Sequence, residues 1–388
     1  MAFGLKQFRI NYNNRKLYKL LVLLAMFIFI RSAVVSIAHQ REQYVWNNNQ
    51  WTKPRPQVRH FNRTATHKIL LWIIYESEFK LVHERECMKR CPVPCDVTNN
   101  VAEIDSSSAV VFTLTSMWPD NWKIGTRKLI DLPKFRHKDQ VWILANREPP
   151  PNMFGNLRVL NGIFNWTMWH RSDADLYFPY FLPTLINNNK TESKGAQPTN
   201  VYKSKTKEIT GKISNCRDSG RRYRLVNKLQ KYLFIDMFGK CYDNVCGVPE
   251  DHRSCDTIRE QYKFYLGLEN SQCKDFVTGK YWWALIRNQI PIVNWDYSFV
   301  NSDNVIPNSF ISINNFQDIE TLAQFVKNVS SNESLYNSYF TWRSSYRIEA
   351  PCASCIICKA LHEGRPRKVV HNIDTWILND TCPQVGVS

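Results

Sequence analysis

Leu20–Ile30 is an unbroken run of eleven apolar residues, and apolar character resumes after Arg31 through Ser32–Ala38. A stretch of this length crosses a bilayer of about 30 Å as a helix. Arg31 costs about 3 kcal/mol at the bilayer centre and less where its side chain snorkels to an interface. Upstream stand Lys6, Arg9, Arg15, Lys16 and Lys19 with no acid. That flank predicts a cytoplasmic tail (1–19), a signal-anchor (20–38) and a lumenal remainder, a single-pass type II arrangement. Ser36-Ile37-Ala38 also fits a small-x-small cleavage site, so a removable signal peptide is the competing reading. Both commit the rest of the chain to folding in an oxidising lumen.

The charge agrees with that division. The chain carries a net +17, but residues 1–66 hold eleven Lys and Arg against Glu42 alone, which leaves +7 for everything downstream. A nucleic-acid partner is therefore not implied, because the excess orients an anchor and decorates a stem. Twelve cysteines, with the clusters Cys87/Cys91/Cys95 and Cys352/Cys355/Cys358, suit disulfides in that compartment, with zinc as the rival use of C-x-x-C spacing. Asn62, Asn165, Asn189, Asn328, Asn332 and Asn379 head N-x-S/T glycosylation sequons.

Residues 39–66 are polar and read as an extended stem. The runs 68–75, 109–114 and 140–144 are buried-strand candidates, and 187–212, almost without aliphatics, reads as a linker or mobile loop. Downstream, strands at 233–238, 263–268, 291–293 and 310–313 alternate with helical patterns at 222–232, 279–286 and 319–326. Such alternation makes a parallel α/β sheet, which binds ligands at the carboxyl ends of its strands. Dinucleotide, P-loop and hydrolase-elbow motifs are absent from the sequence, as is a D-x-D at a strand end. A diphosphate bound here is held by cations and backbone N–H groups, with candidates at Ser214-Asn215, the arginines 217–224 and Lys280.

The run Tyr262-Lys-Phe-Tyr-Leu-Gly-Leu-Glu-Asn-Ser271, followed by Asp275-Phe-Val-Thr-Gly-Lys280, resembles the donor signature of the α-1,3/1,4-fucosyltransferases of glycosyltransferase family 10. In that family the pattern is KF-x-x-x-FENS and then DY-[IV]-TEK. Phe164-Asn-Trp-Thr-Met168 with Arg171, Asp173, Asp175 and Pro179-Tyr180 is similar to its FNWT…YRxDSDxxxPY motif. Ile213–Cys216, Phe234–Gly239 and the tail from Cys355 to Trp376 follow in order, so the resemblance spans about residues 67–380.

The resemblance implies a GT-B-like pair of Rossmann-type domains: an acceptor-side domain at 67–200, a GDP-fucose domain at 201–345, and a tail at 346–388 that packs back on the first. It implies Golgi transfer of L-fucose from GDP-β-L-fucose, with inversion, to an N-acetylglucosamine hydroxyl of a glycoprotein or glycolipid glycan. Glu148 would be the base. Ser214, Asn215, Arg222, Tyr265, Glu269, Asn270, Lys280, His170 and Phe276 would form the donor pocket, and removing the Lys280 ammonium would cost turnover rather than folding. No cofactor is obligatory, manganese being at most stimulatory. Cys355 and Cys358 would bridge to members of Cys87, Cys91 and Cys95. His170, Ala174, Leu268, Phe276 and Gly279 depart from the family pattern, and Gly279 removes a carboxylate. The alternative is therefore a weakly active or silent member that binds nucleotide sugar or glycan without efficient transfer.

Overall fold

A computed structural model describes residues 45–47, 50–52, 57–59, 66–73, 81–117, 132–153, 156–186, 200–216, 221–242, 258–296, 298–379 and 381–382. The tail 1–19, the apolar run 20–38, Asn62 and Asn189 lie outside them. Among the described residues no helix is long and apolar enough to cross a membrane. The chain divides into two units. The smaller, Met1–Gln57 with Pro133–Phe135, contains an antiparallel pair, Val45–Asn47 with Gln50–Thr52. The larger, Val58–Leu132 with Arg136–Ser388, contains all that follows.

Apolar runs buried on both faces become the inner strands of two parallel sheets. The first sheet comprises β1 (His67–Ile73), β2 (Cys95–Thr98), β3 (Ala109–Thr113), β4 (Val141–Ala145), β5 (Trp166–Trp169) and β6 (Leu176–Tyr177), in the order β2-β1-β3-β4-β5-β6. After a short strand β7 (Leu182–Leu185), the second sheet comprises β8 (Lys207–Lys212), β9 (Ile235–Phe238), β10 (Tyr262–Leu266), β11 (Ile290–Val293) and β12 (Ile311–Ser312), in the order β9-β8-β10-β11-β12. All pairs within both sheets are parallel. The returning strand β13 (Tyr346–Glu349) pairs antiparallel with β7, so the outgoing and returning connections run side by side.

The segment read as a linker contains the main correction. Residues 187–199 lie outside the described residues, but Lys207–Lys212 is β8, the strand on which the second sheet reverses its winding order. Its sequence, KEITGK, offers one aliphatic residue. Gly211 is small because Met237 and Leu266 close over it, and a Cβ there would stand 2.8 Å from the Met237 sulfur. Burial under larger neighbours makes this strand, not its own hydrophobicity.

Helices α2 (Arg222–Leu229), α4 (Ile319–Ser331) and α5 (Glu333–Ser338) cover one face of the second sheet through Val226, Leu229, Leu322, Val326 and Tyr336. On the other face, α3 (Gly279–Ile286) packs Tyr281, Trp282 and Leu285 with Val293, Trp295 and Phe310. The first sheet is covered differently. Helix α6 (Ala353–His362) places Ala353, Ile357, Cys358 and Leu361 on the face made by Ile69, Val111 and Ile143. Helix α7 (Ile373–Leu378) places Ile373 and Ile377 on the opposite face with Leu70, Val110 and Trp142. The C-terminal tail thus supplies cover to both faces of the first sheet.

That docking is stapled. Helix α1 (Leu81–Met88) and the chain up to β2 face α6 through Cys87–Cys352, Cys91–Cys355 and Cys95–Cys358, with Cα separations of 5.7, 5.6 and 6.0 Å. Buried Glu84 accepts the Ser354 N–H at 2.8 Å and so caps the first turn of α6, where a carboxylate also meets the positive helix end. The cysteines are used as disulfides, not zinc ligands.

In the chain-entropy account, the first bridge across some 260 residues stabilises by about 5–6 kcal/mol, and each later one closes a ring of under ten residues for about 2–3 kcal/mol. Replacing Cys95 and Cys358 by serine should therefore leave α6 and α7 protected in hydrogen exchange. Replacing all six should destabilise by about 10 kcal/mol and expose the amides of both helices.

Candidate active site

The order β9-β8-β10-β11-β12 reverses between β8 and β10, so the loops after these strands diverge and open a crevice at their carboxyl ends. Ser214 and Asn215 follow β8 and are exposed there. Their loop is pinned to the end of β9 by Cys216–Cys241 and by Gly239, whose φ of +107° and missing side chain let the strands close together. A Cβ at 239 would stand 2.4 Å from the Ile213 carbonyl oxygen. Arg222 opens α2, is only 2% exposed, and donates from Nη2 to the Asn215 carbonyl at 2.8 Å.

The loop after β10 is organised around one carboxylate. Glu269 is fully buried. Its Oε1 accepts from the Thr278 N–H (2.8 Å) and Oγ1 (2.7 Å), and its Oε2 accepts from Lys280 Nζ at 2.7 Å. Its own backbone is held in both directions by Asn294. Thr278 caps α3, so the first turn of that helix, Lys280 included, is aimed by Glu269. A buried carboxylate requires this set of donors, because leaving it unpaired is costly.

Asp275 ties this loop to the first half. It is buried in a left-handed conformation (φ 57°). Its Oδ2 accepts from Ser172 N and Oγ (2.9 and 2.7 Å), and its Oδ1 accepts from Asn301 N. Arg171, beside Ser172, donates to both oxygens of Asp173 and to the Trp376 carbonyl, with its guanidinium over the Trp376 ring. Cys273–Cys382 fastens the same loop to the tail.

Through these ties the segment after β4 reaches the donor loop. Glu148 is half-buried, and its Oε2 accepts from Asn152 Nδ2 at 2.8 Å. Neighbouring Arg147 lies over the Phe178 and Tyr180 rings, and its carbonyl accepts from the Tyr180 hydroxyl at 3.4 Å. The Tyr180 ring meets Phe276, which meets His170 at 5.2 Å. His170 is fully buried; burial, and then the Arg171 charge, push its pKa down to about 3, so it is a neutral packing ring.

The residues expected at the donor therefore divide. Ser214, Asn215 and the side chain of Lys280, 26% exposed, reach the surface of the crevice. Glu269, His170 and Phe276 are buried within the walls, where they hold neighbouring groups in place. Asn270 and Arg222 are also nearly buried, but they adjoin the loops that bound the crevice. Tyr265 points to the face of β10 opposite Phe264 and Leu266, toward Arg259 and Arg287. Burial raises its phenol pKa against the pull of both arginines. Asp275 and the bond from Cys273 to Cys382 were not foreseen, although an unassigned cysteine inside the donor signature was their signal.

Of the sequons, Asn328, Asn332 and Asn379 are exposed, Asn332 also capping α5. Asn165 is 2% exposed, with Oδ1 accepting from the Trp142 N–H and from Arg136 and Nδ2 donating to the Lys368 carbonyl at 3.3 Å.

Residues 202–376 match the model of the glycosyltransferase family 10 (fucosyltransferase) C-terminal domain, and residues 64–181 that of the fucosyltransferase N-terminal domain. The chain is similar to α-(1,3)-fucosyltransferase C of Drosophila melanogaster, 31% identical over 346 residues, covering 81% of this chain and 78% of that one. It is also similar to α-(1,3)-fucosyltransferase fut-5 of Caenorhabditis elegans, 31% identical over 319 residues, covering 77% and 79%. A crystal structure of an α1,3-fucosyltransferase with GDP-fucose aligns at a TM-score of 0.48 with 14% identity, covering 85% of this chain and 97% of that one.

Two predictions follow from the buried groups. Lys280→Ala leaves Glu269 buried without its cation, so folding as well as turnover should suffer, by about 2–4 kcal/mol in denaturant unfolding. Adding Glu269→Gln to Lys280→Met should recover most of that loss. His170 is held neutral, with a folded pKa below the unfolded value near 6.5. Its contribution to stability is complete above that pH and lost as pH falls toward 3, by about 2 kcal/mol between pH 7 and 5. His170→Phe should flatten that part of the profile.

Proposed function

The chain belongs to glycosyltransferase family 10, the fucosyltransferases, and is a glycosyltransferase; we propose that it transfers L-fucose, with inversion, from GDP-β-L-fucose to O3 of an N-acetylglucosamine in glycoprotein or glycolipid glycans. The observation that carries this reading is the contact path from the Arg147–Glu148 segment through Tyr180 to Phe276 in the donor loop. This link between the segment that carries Glu148 and the loop that carries Lys280 supports Glu148 as the base.

In this mechanism the acceptor O3 attacks the anomeric carbon of fucose as the bond from that carbon to the β-phosphate oxygen breaks. The O3 proton passes to Glu148, and GDP leaves with the electron pair. Arg222 and Lys280 offset the charge that develops on the diphosphate, together with N–H groups of the loop after β8. Fixed cations of this kind make a resident cofactor unnecessary, and manganese serves at most as a stimulant. Glu269 orders Thr278 and Lys280 without a carboxylate at 279, which supports transfer over a silent member. The site of action is the Golgi lumen, with 20–38 as the anchor and 1–19 cytoplasmic; nucleic acid is no partner.

The test uses the full chain in detergent, GDP-fucose and a panel of N-acetylglucosamine-containing oligosaccharides. Glu148→Gln should lower kcat by about 10²–10⁴ while GDP binding is retained. Undiminished transfer by a folded Glu148→Gln protein removes the base from the scheme.

A further inference from the structure

Helix α3 buries Tyr281, Trp282 and Leu285, yet turns Trp283 outward, 46% exposed, one turn beyond the N-terminal residues Gly279 and Lys280. The indole stands one turn from Gly279 and occupies the volume a side chain there would need: a Cβ at 279 would be 2.9 Å from Trp283 Cδ1 and 3.0 Å from Nε1. One turn on, the Arg287 guanidinium lies 5.2 Å from the indole centroid, and Phe181 meets the ring edge-on at 5.4 Å and 83°. The ring is fixed by three neighbours and still offers aromatic surface to solvent.

Its position names what it would meet. Phe181 directly follows Tyr180, whose hydroxyl reaches the Arg147 carbonyl beside Glu148. Trp283 also shares the first turns of α3 with Lys280. The groups expected at the nucleotide, Ser214, Asn215 and Arg222, come instead from the end of β8 and the start of α2. A rigid indole one turn from Lys280 and in contact with Phe181 suits the apolar C–H face of a pyranose, with the indole N–H available to a sugar hydroxyl.

We propose that Trp283 is the platform on which the acceptor's pyranose ring stacks, and that Gly279 is small so that the indole lies there; this rests on the transfer reading above. Glycan selection then depends on a residue of the donor half.

The experiment measures KM for free N-acetyllactosamine, KM for GDP-fucose and Kd for GDP with the full chain. Trp283→Ala should raise the acceptor KM about tenfold with the GDP Kd unchanged, and Trp283→Phe should recover most of it. Gly279→Glu, which drives a side chain into the indole's place, should shift the acceptor KM in the same direction. An unchanged acceptor KM in folded Trp283→Ala overturns the proposal, as does a rise in the GDP Kd with the acceptor KM unmoved. If the native chain transfers no fucose, the underlying reading fails instead. Saturation-transfer NMR of N-acetyllactosamine then decides the platform: a signal lost in Trp283→Ala supports it, and equal signals overturn it.

Discussion

A parallel sheet has two apolar faces and no tolerance for water on either. The second sheet meets this requirement from its own neighbourhood, with α2, α4 and α5 on one face and α3 on the other. The first sheet draws cover on both faces from the far end of the chain, α6 on one side and α7 on the other. The remaining architecture accommodates that loan. The chain must leave the first sheet, build the second and return, which is why β7 and β13 run side by side. Three bridges and the Glu84 cap keep the returned segment in place.

The crevice inherits its order from buried groups that scarcely touch it. Glu269 spends every acceptor on Thr278 and Lys280, Asp275 reaches across to Ser172, and Arg171 links the same segment to Trp376. Charges placed inside protein are stable only with such complete sets of partners. Residues at the surface are thereby aimed by buried residues, and a signature motif mixes the two kinds without distinguishing them.

The sequence showed the apolar strands 109–114 and 140–144 within a residue of their observed limits, because a run such as VWILA is stable only where both of its faces are buried. It showed the helix beginning at Gly279, where Thr278 supplies a cap and the apolar spacing is clear. It failed at β8, since a strand whose neighbours bury it needs little hydrophobicity of its own. It did not distinguish the buried Glu269 and His170 from the exposed Ser214 and Asn215. Burial is a property of the assembled walls, and nothing in E-N-S or in W-H-R states which side chain turns inward. Asn165 shows the same gap: its sequon is intact while its side chain is buried with Oδ1 accepting from the Trp142 N–H. The motifs that the sequence singled out lie in the loops after β8 and β10, which flank a reversal in strand order that the sequence did not state.

The borrowed cover has a consequence in time. Roughly 200 residues separate β4 from α6, and at about 5–20 residues per second the ribosome needs about 10–40 s to make them. Through that interval the first sheet exists as sequence without its lids, exposing Val111, Ile143 and Trp142 to whatever shares the compartment. Its closure waits for α6 and α7 and is sealed by oxidation of cysteines that emerge at opposite ends of synthesis. Cover for the first sheet thus arrives late in folding, and the yield of this chain depends on how long those apolar faces stay open before the disulfides form.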